Sequence, residues 1–178
     1  MKAMADPFRI CMVCTGNICR SPIAEVVLRR MAEDAGLGDA IRVTSAGTGE
    51  WHVGEQADPR TLAALEDAGY DGRTHRARQF DPSWFDDLDL VVALDRSHER
   101  ILRSWARSDE DRSKIRLLLS FDPEARGASD VADPYYGDAA MFDAVLAEIE
   151  RADRALFHQI APAMRATHHD ERPTVSPS

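Results

Sequence analysis

The residues best placed for chemistry lie in one stretch, CTGNICRS at residues 14–21. Cys14 offers a nucleophilic sulfur. Arg20, after five intervening residues, offers a planar guanidinium fork that matches two oxygens of a phosphate. Between them Thr15, Gly16, Asn17, Ile18 and Cys19 present successive backbone N–H groups. Where a strand gives way to a helix, such groups cradle an anion, and the helix N-terminus adds partial positive charge. Gly16 permits backbone angles that other residues resist, and Asn17 tolerates left-handed ones. The same field favours the thiolate, the reactive form of cysteine. The Ser21 hydroxyl is placed to donate to that sulfur, first as nucleophile and later as leaving group.

Other readings of the same cysteines are open. The chain has three, Cys11, Cys14 and Cys19, all within nine residues. Cys11 falls inside an apolar run and reads as a small buried hydrophobe. A zinc or iron–sulfur site lacks a fourth cysteine. A thioredoxin-like pair from Cys11 and Cys14 would open a helix rather than end a strand. The Gly-Lys-Ser/Thr of a nucleotide-binding loop is absent.

Several elements have to position this loop. FRICMV at 8–13 reads as a buried strand leading into Cys14. Pro22 suits the first position of a helix, with Ser21 as its N-cap. Ile23, Val27 and Met31 give that helix an apolar face, and Gly36 and Gly38 end it. Further strands are expected at 41–47, 88–94 and 114–121, with 88–94 a continuous apolar run fit for a central parallel strand. Helices are expected at 59–69, 97–106 and 139–162. This alternation predicts an open four-stranded parallel sheet with helices on both faces, flavodoxin-like or Rossmann-like. In such folds ligands sit beyond the carboxyl ends of the strands, which is where Cys14 falls. Residues 8–162 are expected to form one domain, between a flexible start at 1–7 and a flexible polar tail at 163–178.

Composition sets the broad class. The chain has 178 residues, 44% hydrophobic and 30% charged, with a net charge of −9. This acidity disfavours nucleic acid and anionic membranes as partners, while leaving room for a locally positive site. No apolar run approaches the roughly 18 residues of a membrane span. The start, MKAMADPFRICMVC, lacks the pattern of a signal peptide. With an odd cysteine count, this points to a reducing cytoplasm; export without a signal peptide would leave no mark in the sequence.

Followed by Ser-Pro and set between a strand and a helix, the Cys-x5-Arg pattern becomes specific. VCTGNICRSPIAE resembles the signature of the low-molecular-weight protein tyrosine phosphatases. DPYYGD at 133–138 resembles that family's general-acid loop, and SAGTGEWHVGEQADPR at 45–60 its substrate-wall segment. The resemblance covers roughly residues 8 to 160. It implies that Cys14 attacks phosphorus and forms a phosphocysteine. Arg20 and the amides of residues 15–20 would hold the phosphoryl oxygens. Asp133 would protonate the departing phenolate and then activate water. By itself, Asp133-Pro134 would be no more than a common turn signal.

The resemblance also assigns Asn17, Ser21, Ser45 and His75 to holding the loop in shape. Ile18, Trp51, Tyr135 and Tyr136 are expected to wall a slot for an aryl ring. Cys19 matches a family position from which a second thiol can trap oxidised Cys14 as a disulfide. No metal or cofactor is implied, because Arg20 and the amides neutralise the phosphoryl charge. The expected partners are phosphotyrosine proteins and small aryl phosphates, with inorganic phosphate as product and the enzyme a monomer. Two related activities stand as alternatives. Arsenate reductases of this fold shuttle a disulfide through later cysteines, which this chain lacks after Cys19. Phosphoarginine phosphatases of the family tend to carry threonine where Ile18 stands. A binding module without catalysis would be expected to lack Cys14 or Asp133, and both are present.

Overall fold

The computed structural model describes residues 6–169. Four strands, β1 (Phe8–Cys14), β2 (Ile41–Gly47), β3 (Leu90–Ala93) and β4 (Ile115–Leu117), form one sheet in the order β2-β1-β3-β4. Every pairing is parallel. The helices are α1 (Arg20–Asp34), α2 (Pro59–Asp67), α3 (Arg96–Trp105), α4 (Asp109–Ser113) and α5 (Ala139–His169).

Side-chain alternation along β1 divides the core into two layers. Ile10 and Met12 pack on one face of the sheet with Ile23 and Val27 of α1, Leu65 of α2, and Phe142 and Ile149 of α5. Cys11 and Val13 pack on the other with Phe80, Phe85, Val91 and Leu102 of α3. Both faces of β1 are thus sealed, and full burial of such side chains contributes roughly 1.5–3 kcal/mol each. This fixes the end of β1, and with it Cys14, as a rigid platform. The outer edge of β2 is closed by arginines: Arg29 donates to the Val43 carbonyl at 2.9 Å and Arg78 to that of Ser45 at 3.0 Å. Charged cover of this kind is how sheet edges avoid adding another strand.

Several boundaries differ from the sequence expectation. Helix α1 begins at Arg20 with Cys19 at its N-cap, so Ser21 lies inside the first turn and is not the cap. Pro22 is therefore third in the helix; it is tolerated there because first-turn amides have no intrahelical acceptor. The run expected as a strand over 114–121 pairs only at Ile115–Leu117 and then tightens into a 3₁₀ turn, Leu118–Phe121. Leu118, Leu119 and Phe121 are buried, so an apolar run looks the same in either conformation. The short helix α4, capped by the Ser108 side chain, was not expected. Helix α5 runs on through Pro162 to His169, so residues 163–169, expected in the tail, are helical. The expected flexibility of residues 1–5 and 170–178 lies outside the described residues.

Candidate active site

The first strand ends at Cys14 and the first helix starts at Arg20, so residues 15–19 turn around the space between them. The turn is made at Asn17, whose φ of 57° is left-handed. Gly16 does not take such an angle; its use is steric, since a Cβ there would meet the His52 ring at 2.8 Å.

Four carbonyls at the loop are pinned by donors from outside it. Cys14 O accepts from Thr48 N at 2.8 Å and Thr15 O from Gly49 N at 3.0 Å. Asn17 O accepts from His75 Nε2 at 2.7 Å and Ile18 O from Asp58 N at 2.9 Å. Among the described residues, no loop or turn carbonyl takes up the amides of residues 15–19. Carbonyls held out and amides left available is the geometry of an anion cradle. Gly47 makes the close packing possible, because a Cβ there would lie 2.6 Å from Thr15 O.

Below the loop runs a chain of side-chain hydrogen bonds. Ser21 Oγ lies 2.9 Å from Cys14 Sγ. Asn17 Nδ2 donates to Ser21 Oγ at 2.8 Å and to Ser45 Oγ at 2.9 Å. Ser45 Oγ donates onward to Glu25 Oε1 at 2.7 Å, and Asn17 Oδ1 accepts from Arg78 N at 3.0 Å. Asn17 engages one lone pair of Ser21, whose hydrogen can turn to the sulfur at 2.9 Å or to the more distant Ala46 O at 3.4 Å. Burial pushes the His75 imidazole below its ordinary value, against the bond to Asn17. His75 is therefore a neutral donor at physiological pH.

Arg20 is buried and doubly anchored: Nη1 reaches Asp95 Oδ2 and Val131 O, each at 2.8 Å. Burial opposes ionisation of Asp95, but bonds from Ser97 and Arg20 and the field of His98 outweigh it and hold the carboxyl at about 2. The guanidinium thus keeps its counter-charge at any pH the fold meets. His98 is pushed down to about 4 by burial. Its Nδ1 accepts the Asp95 amide at 3.2 Å, which leaves Nε2–H to donate to Thr15 Oγ1 at 2.8 Å.

Asp133 overhangs the loop, with Oδ2 at 3.6 Å from Arg20 Nη2 and Oδ1 accepting from Tyr135 N at 3.1 Å. Its side chain is half exposed, so it can exchange protons with solvent. A cleft of 370 Å³ opens above, lined by Cys14, Ile18, Arg20 and Asp133 at its base and by Trp51, His52, Tyr135 and Tyr136 at its mouth. Trp51 and Tyr136 are 70% and 95% exposed, the most exposed large apolar side chains among the described residues. Trp51 lies across Gly49, where a Cβ would fall 1.7 Å from the indole. Tyr135 packs edge-on against Tyr136 at 4.9 Å and lies under the Arg60 guanidinium at 5.7 Å.

Every site residue expected from the sequence sits at this loop, beneath it or at the cleft. Cys14, Arg20 and Asp133 converge at its base; Asn17, Ser21, Ser45 and His75 lie behind the loop. Cys19 is buried in the loop, its thiol pushed up to about 12 by burial and the Asp58 charge. Cys11 lies in the core, as expected. Sequence reasoning missed Glu25, Gly47, Asp95 and His98. A signal for Asp95 existed: an acidic helix cap just past a buried parallel strand, where ligand sites occur. Among the described residues no group of acidic, cysteine and histidine side chains could hold a metal, and no helix is long and apolar enough to cross a membrane.

Comparison with known proteins agrees with this geometry. A low molecular weight protein-tyrosine-phosphatase of Streptomyces coelicolor is 56% identical over 150 residues, 84% of this chain and 91% of that one. A protein tyrosine phosphatase from Entamoeba histolytica superposes with a TM-score of 0.82 at 29% identity, over 88% of this chain and 98% of that one. The YwlE arginine phosphatase, in a mutant with a phosphorylated active-site serine, superposes with a TM-score of 0.78 at 29% identity, over 89% and 99% of the two chains. The family model for low molecular weight phosphotyrosine protein phosphatase matches residues 9–166, and the chain belongs to that family.

Proposed function

We propose that the protein hydrolyses phosphotyrosine through a phosphocysteine on Cys14. The observation that carries this reading is the Cys14 sulfur, 2.9 Å from the Ser21 hydroxyl, at the base of a loop whose carbonyls are tied outward. In the first step Cys14 sulfur attacks phosphorus while the Arg20 fork and the loop amides take the equatorial oxygens. Asp133, protonated, gives its proton to the departing phenolate oxygen. In the second step the Asp133 carboxylate takes a proton from water, whose oxygen attacks phosphorus. The phosphorus–sulfur bond breaks, and Ser21 stabilises the returning thiolate. Inorganic phosphate leaves, and the cycle requires no metal or cofactor.

Substrate class follows from the walls. Trp51, Tyr135 and Tyr136 around the cleft, with Ile18 at its base, suit a flat aryl ring. A serine phosphate is too short to bring phosphorus to Cys14 from the rim. The arginine phosphatase among the structural relatives supports a second reading, in which a phosphoguanidinium enters the same slot. The aromatic mouth favours tyrosine. Comparing kcat/KM on matched phosphotyrosine, phosphoarginine and phosphoserine peptides tests this. Phosphotyrosine is expected to lead by at least about tenfold, and a preference for phosphoarginine overturns the assignment. We place the enzyme in the cytoplasm, a reducing compartment that suits its three free cysteines.

The loop also supports a redox role. Peroxide would oxidise the Cys14 thiolate to a sulfenic acid, and Cys19 sulfur would then displace water to form a disulfide. Burial and the raised Cys19 thiol imply slow closure. After peroxide and then dithiothreitol, wild type should recover more activity than Cys19→Ser; equal recovery, without a Cys14–Cys19 peptide, excludes the switch.

A further inference from the structure

Behind the phosphate loop, on the side away from the cleft, lies a second recess of 350 Å³. Three arginines line it, Arg29, Arg76 and Arg78, with the hydroxyl residues Thr44 and Thr74. We propose that this recess is a second, non-catalytic site for a dianionic phosphate group, and that its occupancy bears on the catalytic loop.

Three observations carry the proposal. First, the recess gathers positive charge on an acidic chain. Arg30, Arg60, Arg73, Arg96, Arg107 and Arg112 each face a carboxylate. Among the described residues Arg76 and Arg78 form no such pair, and Arg29 pairs only with Glu25. Three guanidiniums therefore share one carboxylate.

Second, the guanidiniums are held in place by backbone carbonyls, without losing their charge. Arg29 donates to Val43 O at 2.9 Å, Arg76 to His75 O at 2.7 Å and Arg78 to Ser45 O at 3.0 Å. Arg78 is braced further by the Trp84 ring at 4.6 Å. Each fork has five N–H donors and spends only some of them on these anchors. Side chains fixed beforehand lose little freedom on binding an anion.

Third, the recess shares residues with the loop's support. Glu25, Ser45 and His75 line it, and the same three residues lead through Asn17 and Ser21 to the Cys14 sulfur. An anion that draws Arg29 away from Glu25 changes the first member of that chain. The linkage is reciprocal, so the state of the loop also bears on the recess. The product of the proposed reaction, inorganic phosphate, has the required chemistry; so does a phosphomonoester such as O-phosphoserine.

The site is tested by titrating inorganic phosphate, and separately O-phosphoserine, into the ¹⁵N-labelled protein while following the arginine Nε and backbone resonances. The expected result is two saturable phases, one at residues 14–20 and a weaker one at Arg76 and Arg78 with either ligand or both. Arg76→Gln should weaken the second phase about tenfold, as the loss of one charge-assisted hydrogen bond implies, and leave the first. A response confined to residues 14–20, or a second phase indifferent to Arg76→Gln, overturns the site and leaves the catalytic reading standing. The link to the loop is read from kinetics. Inorganic phosphate should lower kcat as well as raise the apparent KM for an aryl phosphate in wild type, and act on KM alone in Arg76→Gln. Binding at the recess with unchanged kcat overturns the link.

Discussion

At the scale of single residues, the account rests on what surrounds Cys14, Arg20 and Asp133. Asp133 faces Arg20 at 3.6 Å yet has a half-exposed side chain, which suits a group that must give up a proton and regain one. Asp133→Asn should slow turnover of an unactivated phenyl phosphate about 10²-fold or more, the usual range for a lost general acid. A nitrophenyl phosphate, whose leaving group needs no proton, should lose far less in its first step. Burst and steady-state rates across a leaving-group series check this; equal slowing throughout removes Asp133 from the acid role. Cys14 and Arg20 were legible in the sequence because the loop is contiguous, so spacing alone carries its geometry. His98 was not, and Asp95 only as an acidic cap after a buried strand, because both reach the loop through the pairing of β3 with β1. Glu25 passed unnoticed for a different reason: an acidic residue in a helix reads as a solvated face, and nothing local says that Ser45 will meet it.

Elements decide whether those residues hold their places. The loop is clamped between β1, the start of α1 and the end of β2, and Gly47 is where the clamp is tightest. A methyl group there meets backbone at 2.6 Å from Thr15 O and 3.2 Å from Asn17 N. Backbone cannot swing aside as a flexible side chain does. Gly47→Ala should therefore cost about 1–3 kcal/mol, the scale of an overpacked site, and lower kcat by displacing the loop amides. Urea unfolding and steady-state kinetics measure both; unchanged stability and unchanged kcat would remove Gly47 from the clamp. The strand–helix alternation was readable because hydrophobic period separates the two states. Ends were less so. Ser21 has the residue type of a cap, yet Cys19 caps α1 and Ser21 turns its hydroxyl to sulfur. The apolar run after Ile115 carries no period, so its passage from strand to 3₁₀ turn was hidden.

Across the whole molecule, one buried charge stands apart. Asp153 of α5 is fully buried, neither carboxylate oxygen has a hydrogen-bond partner, and burial together with nearby Glu150 raises it well above the ordinary carboxyl value. Folding therefore favours its protonated form. That contribution is complete below the unfolded value near 4 and is lost as pH rises toward the folded one. Asp153→Asn removes the ionisation, so it should stabilise the protein at pH 8 by about 1–3 kcal/mol relative to its effect at pH 4, the penalty scale of an unpaired buried polar group. Denaturation curves at the two pH values give the difference, and a pH-independent effect would contradict the burial argument. The global architecture was legible from the order of elements, and the acidity from composition. The locally positive sites were legible only in part, since a net charge of −9 does not show where the arginines gather.

The central claim is that Cys14 carries the phosphoryl group between substrate and water. The direct measurement is to quench the enzyme with denaturant at alkaline pH during turnover of an aryl phosphate, keep the digest out of acid, and map phosphate on its peptides by mass spectrometry. The account predicts a phosphorylated peptide at Cys14 that accumulates with the burst of phenol, decays with turnover and is absent in Cys14→Ser, which should also lose activity. Turnover without a Cys14 adduct, or a Cys14→Ser enzyme with normal turnover, would contradict it.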